Sequence, residues 1–121
     1  LKEFEALFNR NRIFIERTSG VGAVSPEVAM SYSWSGPILR ATGVDYDVRV
    51  NEPYASYQDF DFEIPVGTTG DVYDRFILRN EEMWQSLRII EQALEKIEKE
   101  PKGVFHADVP EFYLPPKEQV Y

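Results

Sequence analysis

Apolar positions recur along the chain with two periods, and each period predicts its own kind of element. Leu1, Phe4, Leu7 and Phe8 fall at helical spacing among Lys2, Glu3 and Glu5, so the chain opens on what reads as the end of a longer helix, finishing near residues 9–11. Ile13, Phe14 and Ile15 form a short apolar run whose length alone assigns it to neither helix nor strand, and Gly20 and Gly22 after it call for a turn. Ser25-Pro26-Glu27 is a helix start, with a serine N-cap, proline at the first helical position and an acid in the first turn. That helix is expected to run through Val28, Ala29 and Tyr32 and to stop near Gly36-Pro37, with a short turn following at residues 38–43. Residues 45–50 and 59–64 alternate strictly: Tyr46, Val48 and Val50 oppose Asp45, Asp47 and Arg49, and Phe60, Phe62 and Ile64 oppose Asp59, Asp61 and Glu63. Two such runs around a loop containing Pro53 predict a β-hairpin.

The clearest element is a helix over about residues 71–98. Tyr73, Phe76, Ile77, Met83, Trp84, Leu87, Ile90, Leu94 and Ile97 lie three or four apart, which predicts one buried stripe. Asp71 and Asp74 stand in the first turn and Lys96 and Lys99 near the last, as the helix dipole favours. Such a helix is a rod of roughly 42 Å, long for so small a chain unless neighbouring parts cover it. Beyond it, residues 101–121 carry Pro110, Pro115 and Pro116 without periodicity and read as an extended arm. The predicted class is therefore α+β and helix-rich, with short helices and a β-hairpin packed on one long amphipathic helix. The expected organisation is a partial domain over residues 1–100 and the proline-rich arm after it. The missing initiator methionine and the lack of a closing element suggest a segment of a longer chain.

Composition narrows the function classes. The 121 residues carry a formal charge of −8, with 13 basic and 21 acidic side chains and no Lys/Arg-rich stripe, so nucleic acid is not an expected partner. No apolar run approaches the ~20 residues of a membrane span, and the expectation is a soluble, cytosol-facing piece that reaches a membrane only through partners. With no cysteine, disulfides, thiolate ligands and cysteine nucleophiles are absent from these 121 residues. His106 is the sole histidine and assembles no triad or metal site; Ser19, Ser25 and Ser33 have no base partner. Gly20-Val21-Gly22 lacks the third glycine of a dinucleotide loop, and the loop from Gly67 to Gly70 lacks the Lys-Ser/Thr ending of a P-loop, so it reads as a helix entry.

What remains is a dense interleaving of acids and arginines. Arg40, Asp45, Asp47 and Arg49 fall within ten residues, and Asp71, Asp74 and Arg75 follow at the helix start. An arginine fork holds a carboxylate by two parallel charge-assisted bonds, so these sets suit a core or a contact between subunits held in one register. Paired acids at Asp45/Asp47 and Asp59/Asp61 could bind a hard cation; pairing with Arg40, Arg49 or a partner's arginines is the better reading. Trp84 belongs to the helix stripe and reads as core. For the loop residues Tyr54 and Tyr57, packing and an interface are equally open.

The same stretches carry a resemblance. N-R-N-R-I-F-I-E-R-T-S-G-V-G (residues 9–22), S-G-P-I-L-R-A-T-G-V-D-Y-D-V-R (35–49), E-P-Y-A-S-Y (52–57), F-D-F-E-I-P-V-G-T-T-G-D-V-Y-D-R (60–75) and E-E-M-W-Q-S-L-R-I-I (81–90) stand in order without large gaps. This ordered set resembles the D-type, 49 kDa-type subunit of respiratory complex I, the quinone-pocket subunit of the proton-translocating NADH:quinone oxidoreductase. The resemblance implies a fold like that of the NiFe-hydrogenase large subunit. It also implies quinone as substrate, iron–sulfur clusters in neighbouring subunits, and partners among the other complex I subunits: the iron–sulfur subunit at the quinone cavity, the C-type subunit and the membrane arm. The implied location is peripheral, on the cytoplasmic face of the inner membrane, or the matrix side in a eukaryote. The family's pocket His and Tyr lie upstream of the matched region, so no catalytic, cofactor-binding or metal residue is carried over. Arg40, Asp45, Asp47, Arg49, Asp71, Asp74 and Arg75 are expected to be scaffold or subunit-contact residues. Two alternatives are a related membrane-bound NiFe hydrogenase large subunit, and a non-catalytic interaction scaffold. Alone, the chain is expected to be inactive and to self-associate.

Overall fold

In the computed structural model, which describes residues 1–104, 106, 108 and 109, five short helices and one 3₁₀ turn gather on a single long helix. They are α1 (Lys2–Phe8), α2 (Arg12–Thr18), α3 (Pro26–Ser31), α4 (Gly36–Ala41), α5 (Val48–Asn51), the 3₁₀ turn Tyr57–Asp59, and α6 (Val72–Lys99). The apolar run at residues 13–15 is helical because Asn11 caps it, its Oδ1 accepting from Ile13 N at 3.0 Å and Phe14 N at 3.2 Å. Ser25 caps α3 with Pro26 at its start, as the sequence predicts. Asp71 caps α6, its Oδ1 accepting from Asp74 N at 2.7 Å. The turn expected at residues 38–43 is part of α4, which Pro37 starts and Thr42 ends.

The expected β-hairpin does not form: no strand occurs among the described residues, which are helix-rich. Residues 45–50 show why alternation misled. Asp47 turns its carboxylate onto the N–H of Arg49 at 2.9 Å and caps a single helical turn, closed by Asn51 N on Asp47 O at 2.8 Å. The burial is inverted as well. Asp47 is buried and Arg49 half-buried, whereas Tyr46, Val48 and Val50 are exposed. Residues 59–64 do alternate in burial, but Asp59 closes the 3₁₀ turn, and the backbone of the segment meets helix side chains where a strand partner was expected. Asp61 N donates to Gln92 Oε1 at 2.8 Å, Glu63 N to Gln85 Oε1 at 3.0 Å, and Lys96 Nζ donates to Asp59 O at 2.7 Å. Long polar side chains on α6 thus satisfy the donors and acceptors that a ladder would otherwise have taken.

The core is small and lies where α4 packs on α3 and on α6, around Ala29, Leu39, Ala41 and Leu78. Beside it, Phe4, Phe8 and Phe14 surround Phe76, with Phe14 and Phe76 edge to face at 4.7 Å between ring centroids. The stripe predicted to be buried along the whole long helix is half-buried at Tyr73, Phe76 and Ile77, and the fully buried positions of α6 are Leu78 and Asn80, neither of which the predicted stripe includes. Met83, Trp84, Leu87, Ile90, Leu94 and Ile97 are exposed, because α1 and α2 lie against the first half and no described element covers that face beyond it. Of the predicted proline-rich arm, residues 101–104 are non-helical, and Pro110, Pro115 and Pro116 lie outside the described residues.

Candidate functional site

The charged residues singled out in the sequence resolve into two networks, one on each side of the entry to α6. The first centres on Arg40, which α4 carries inward until only 3% of it is exposed, beside Asp47 at 4%. Its Nη1 lies 2.9 Å from Asp47 Oδ2 and donates to Tyr46 O at 3.2 Å, while Nη2 pairs with Glu82 of α6. Arg49 closes on the same carboxylate from the other side, its Nε 2.9 Å from Oδ1 and its Nη2 2.7 Å from Oδ2. Asp47 N in turn donates to Asn51 Oδ1 at 2.9 Å. The Arg49 guanidinium stacks 5.1 Å from the ring centroid of Phe62. Two arginines and two carboxylates thus balance in charge, and the two carboxylates each meet an arginine.

Burial pushes the Arg40 guanidinium below its ordinary range, and the charge of Asp47 counters it. At Asp47, burial works to raise the carboxyl, but the hydrogen bonds from the side chain and backbone of Arg49 and the charges of Arg49 and Arg40 outweigh it. Its pKa lies below the ordinary aspartate value.

The second network ties the loops before α3 and α6 to the long helix. Asp71 is buried; besides capping the helix, its Oδ2 accepts from Gly20 N at 2.7 Å, across 51 residues of sequence. Asp74 Oδ2 accepts from Thr68 N at 2.8 Å and Thr69 N at 2.6 Å. Arg75 donates to the carbonyl of Gly70 and, at 3.1 Å, to that of Gly22. The pKa values of Asp71 and Asp74 are lowered: burial would raise both, and the backbone N–H groups aimed at them prevail. These N–H groups are the ones an anion would need, so the loop works as a helix entry. Its fit leaves no spare volume. A Cβ on Gly70, at φ +66°, would stand 2.4 Å from Val24 O, and one on Gly67 would stand 2.7 Å from Ala41 O.

The structure therefore joins Arg40, Asp47 and Arg49 in one cluster and Asp71, Asp74 and Arg75 in another. Asp45 is exposed and joins neither, acting on Arg40 only through its charge. Glu82 and Asn51 belong to the first network without having been singled out by the sequence pattern. Glu82 is one of several glutamates on a long helix, and only the i,i+4 relation to buried Leu78 marks it as facing α4. Tyr57 packs edge-on between Tyr54 and Phe62, while Tyr54 stays exposed. Among the described residues no group of three acids, histidines or cysteines is placed to hold a metal ion, and no helix is long and apolar enough to cross a membrane.

The family described as respiratory-chain NADH dehydrogenase, 49 Kd subunit, matches residues 1–121. The chain belongs to this family. Over its whole length it is 68% identical to the NADH-quinone oxidoreductase D 2 subunit of Cytophaga hutchinsonii. It is 65% identical to the NADH-quinone oxidoreductase D subunit of Flavobacterium psychrophilum over 99% of its length, and 48% identical to the C/D 2 subunit of Aquifex aeolicus over all of it. The chain spans 31%, 29% and 21% of those relatives, respectively. Membership of the 49 kDa family agrees with the resemblance read from the ordered pieces between residues 9 and 90.

Proposed function

We propose that this chain is the structural portion of the D-type subunit of a complex I, in which it braces the cavity where quinone receives electrons that started on NADH. The reading is carried by the match of all 121 residues to relatives named as that subunit. The two networks support a bracing role: their carboxylates and guanidinium groups are engaged with one another and with backbone, the first joining α4, α5 and α6 and the second tying the loops before α3 and α6 to the long helix. In this reading the iron–sulfur clusters sit in neighbouring subunits, and electron transfer to quinone is coupled to proton translocation by the whole complex. The C-type subunit, the iron–sulfur subunit at the cavity and the membrane arm are the partners. The parent protein lies on the cytoplasmic face of the inner membrane, or the matrix face in a eukaryote, with a fold like the NiFe-hydrogenase large subunit. The hydrogenase and pure-scaffold alternatives draw no support from the relatives' names, which are those of quinone oxidoreductases.

The test places this chain in a relative's D-type subunit, replacing the matching residues, in a host lacking its own copy. Membranes are assayed for NADH:quinone activity and for NADH oxidation by an artificial acceptor, and assembly is followed on native gels. The chimera should reduce quinone, and Arg40→Gln should lose quinone reduction together with the assembled complex. An assembled chimera with no quinone activity would refute the proposed function. Full assembly with quinone reduction alone lost in Arg40→Gln would put Arg40 at the cavity and end the bracing role.

A further inference from the structure

The long helix carries a stricter pattern than amphipathicity. Tyr73 and Phe76, then Met83, Leu87, Ile90, Leu94 and Ile97, fall on alternating steps of three and four once buried Asn80 is included, so α6 presents an a/d seam over its whole length. A seam of that period fits an α-helix laid nearly along it, with its side chains seated between those of α6. The first part is already filled in this way. Phe8 and Phe4 meet Phe76 at 6.0 and 5.9 Å, Tyr73 Oη donates to Asn9 O at 3.4 Å, and Trp84 Nε1 donates to Glu5. Residues 9, 8 and 5 thus lie against residues 73, 76 and 84, and α1 runs antiparallel to α6.

Past Met83 the seam is open, and exposure climbs from 39% at Met83 and 41% at Leu87 through 52% and 56% at Ile90 and Leu94 to 68% at Ile97. The other side of the same stretch is engaged, since Gln85, Gln92 and Lys96 hold the backbone of residues 59–63 and Arg88 pairs with Asp61. An apolar seam open on one side of a helix whose other side is covered is an unfinished packing surface.

The geometry points to one occupant: the continuation of α1 towards its N-terminus, drawn from the further chain of a protein whose curated relatives are over three times as long. The direction of α1 already carries it towards Leu87, and about ten more residues, three turns, would reach Ile97. The seam prescribes their chemistry: apolar residues every three or four positions, meeting Leu87, Ile90, Leu94 and Ile97. Glu91 and Glu98 flank the open seam on one side, so the occupant should carry Lys or Arg opposite them. This inference rests on family membership and on α6 itself, not on quinone chemistry.

The experiment uses a full-length chimera of a relative's D-type subunit carrying this chain, with Leu94→Cys and, on the outer face, Glu95→Cys as control. Each is labelled with a benzophenone maleimide, irradiated, and the joined peptides are identified by mass spectrometry. The label at position 94 should cross-link to the roughly twenty residues preceding Leu1, a span of about 30 Å as helix, and the label at position 95 should not. Cross-links from position 94 to chain beyond residue 121, to another subunit or to a second copy would each overturn the assignment. Ile90→Cys repeats the test if Leu94→Cys fails to fold. Maleimide labelling of the Leu94→Cys variant should also run roughly tenfold or more slower in the full-length chimera than in the 121-residue chain; equal rates would mean that the full-length protein leaves the seam open. None of these readouts depends on activity, so an inactive chimera leaves the cross-linking result standing.

Discussion

Arg40→Leu probes the central network most directly. The substitution keeps an apolar side chain of fair volume in a site only 3% exposed, and removes the one group that bridges Asp47 to Glu82. Removing one partner of a buried pair costs about 3–5 kcal/mol, because the remaining charge stays desolvated without compensation. Here the loss is uneven. Asp47 keeps its two side-chain bonds from Arg49, at 2.9 and 2.7 Å, whereas Glu82, on the half-buried side of α6, keeps no cationic partner among the described residues. The low end of the range, about 3 kcal/mol, is therefore expected. Arg49→Leu removes the other pair at a more exposed position and leaves Arg40 on Asp47, so about 1–3 kcal/mol is expected from its charged hydrogen bonds. Urea unfolding followed by helical circular dichroism gives both numbers. The double variant Arg40→Leu with Glu82→Leu separates the causes, since it removes the stranded charge. It should recover at least about 1 kcal/mol relative to Arg40→Leu alone. An Arg40→Leu loss under about 0.5 kcal/mol, typical of a surface substitution, would refute the buried bridge.

Three further outcomes follow from the same contacts. The pKa values of Asp47, Asp71 and Asp74 are lowered in the folded chain, so their stabilisation is fully present above the unfolded aspartate value near 4 and is lost as pH falls through the folded values. The urea midpoint should hold from pH 7 to about pH 5 and decline steeply below pH 4; a midpoint unchanged down to pH 3 would contradict the assignment. Gly70→Ala should cost more than about 2 kcal/mol, because the residue sits at φ +66° and the new Cβ would meet Val24 O at 2.4 Å, whereas Gly103→Ala should be neutral in the same thermal melt. The 121-residue chain alone should associate through the open half of α6, with scattering mass rising with concentration and falling back in Leu94→Lys; a monomer at all concentrations would show that the exposed stripe is not adhesive.

Much of the fold was legible where local chemistry and tertiary packing agree. Asp71 as cap, acids in the first turn, lysines in the last and apolar residues at three-four spacing all name α6, and its bounds fall within about one residue of the expected ones. Ser25-Pro26 names the start of α3 for the same reason. The failure at residues 45–50 has a specific cause. Period-two alternation says which residues share a face, not which face is inside. The buried side there is ionic, since Asp47 satisfies Arg40, Arg49 and a backbone N–H at once, and four residues are too few for apolar periodicity to arbitrate. Of the seven charged residues singled out, Asp45 stands apart from both networks because proximity in sequence to Asp47 does not put a side chain on the same side of a helical turn.

Glu82 and Gly20 mark where one-dimensional reading ends. Arg40 and Glu82 are 42 residues apart, and Asp71 reaches the N–H of Gly20 across 51. Nothing in the local composition distinguishes either partner from its neighbours. What selects Glu82 is that α4 packs on α6, where position 82 stands one turn beyond buried Leu78 and pairs with Arg40. Next to Arg40 on α4, Ala41 is fully buried, and the loop backbone at Gly67, which has no Cβ, sits directly on it. The loop also holds this end of α4, Gly67 N donating to Arg40 O and Gly70 N to Ala41 O, both at 2.9 Å, so enlarging Ala41 should shift the arginine off both carboxylates without touching a charge. Ala41→Val, overpacking a fully buried site, should cost about 1–3 kcal/mol and lower the acid sensitivity of the urea midpoint. A destabilised variant with unchanged acid sensitivity would mean that the arginine follows its carboxylates, and that the packing at Ala41 does not set the network's geometry.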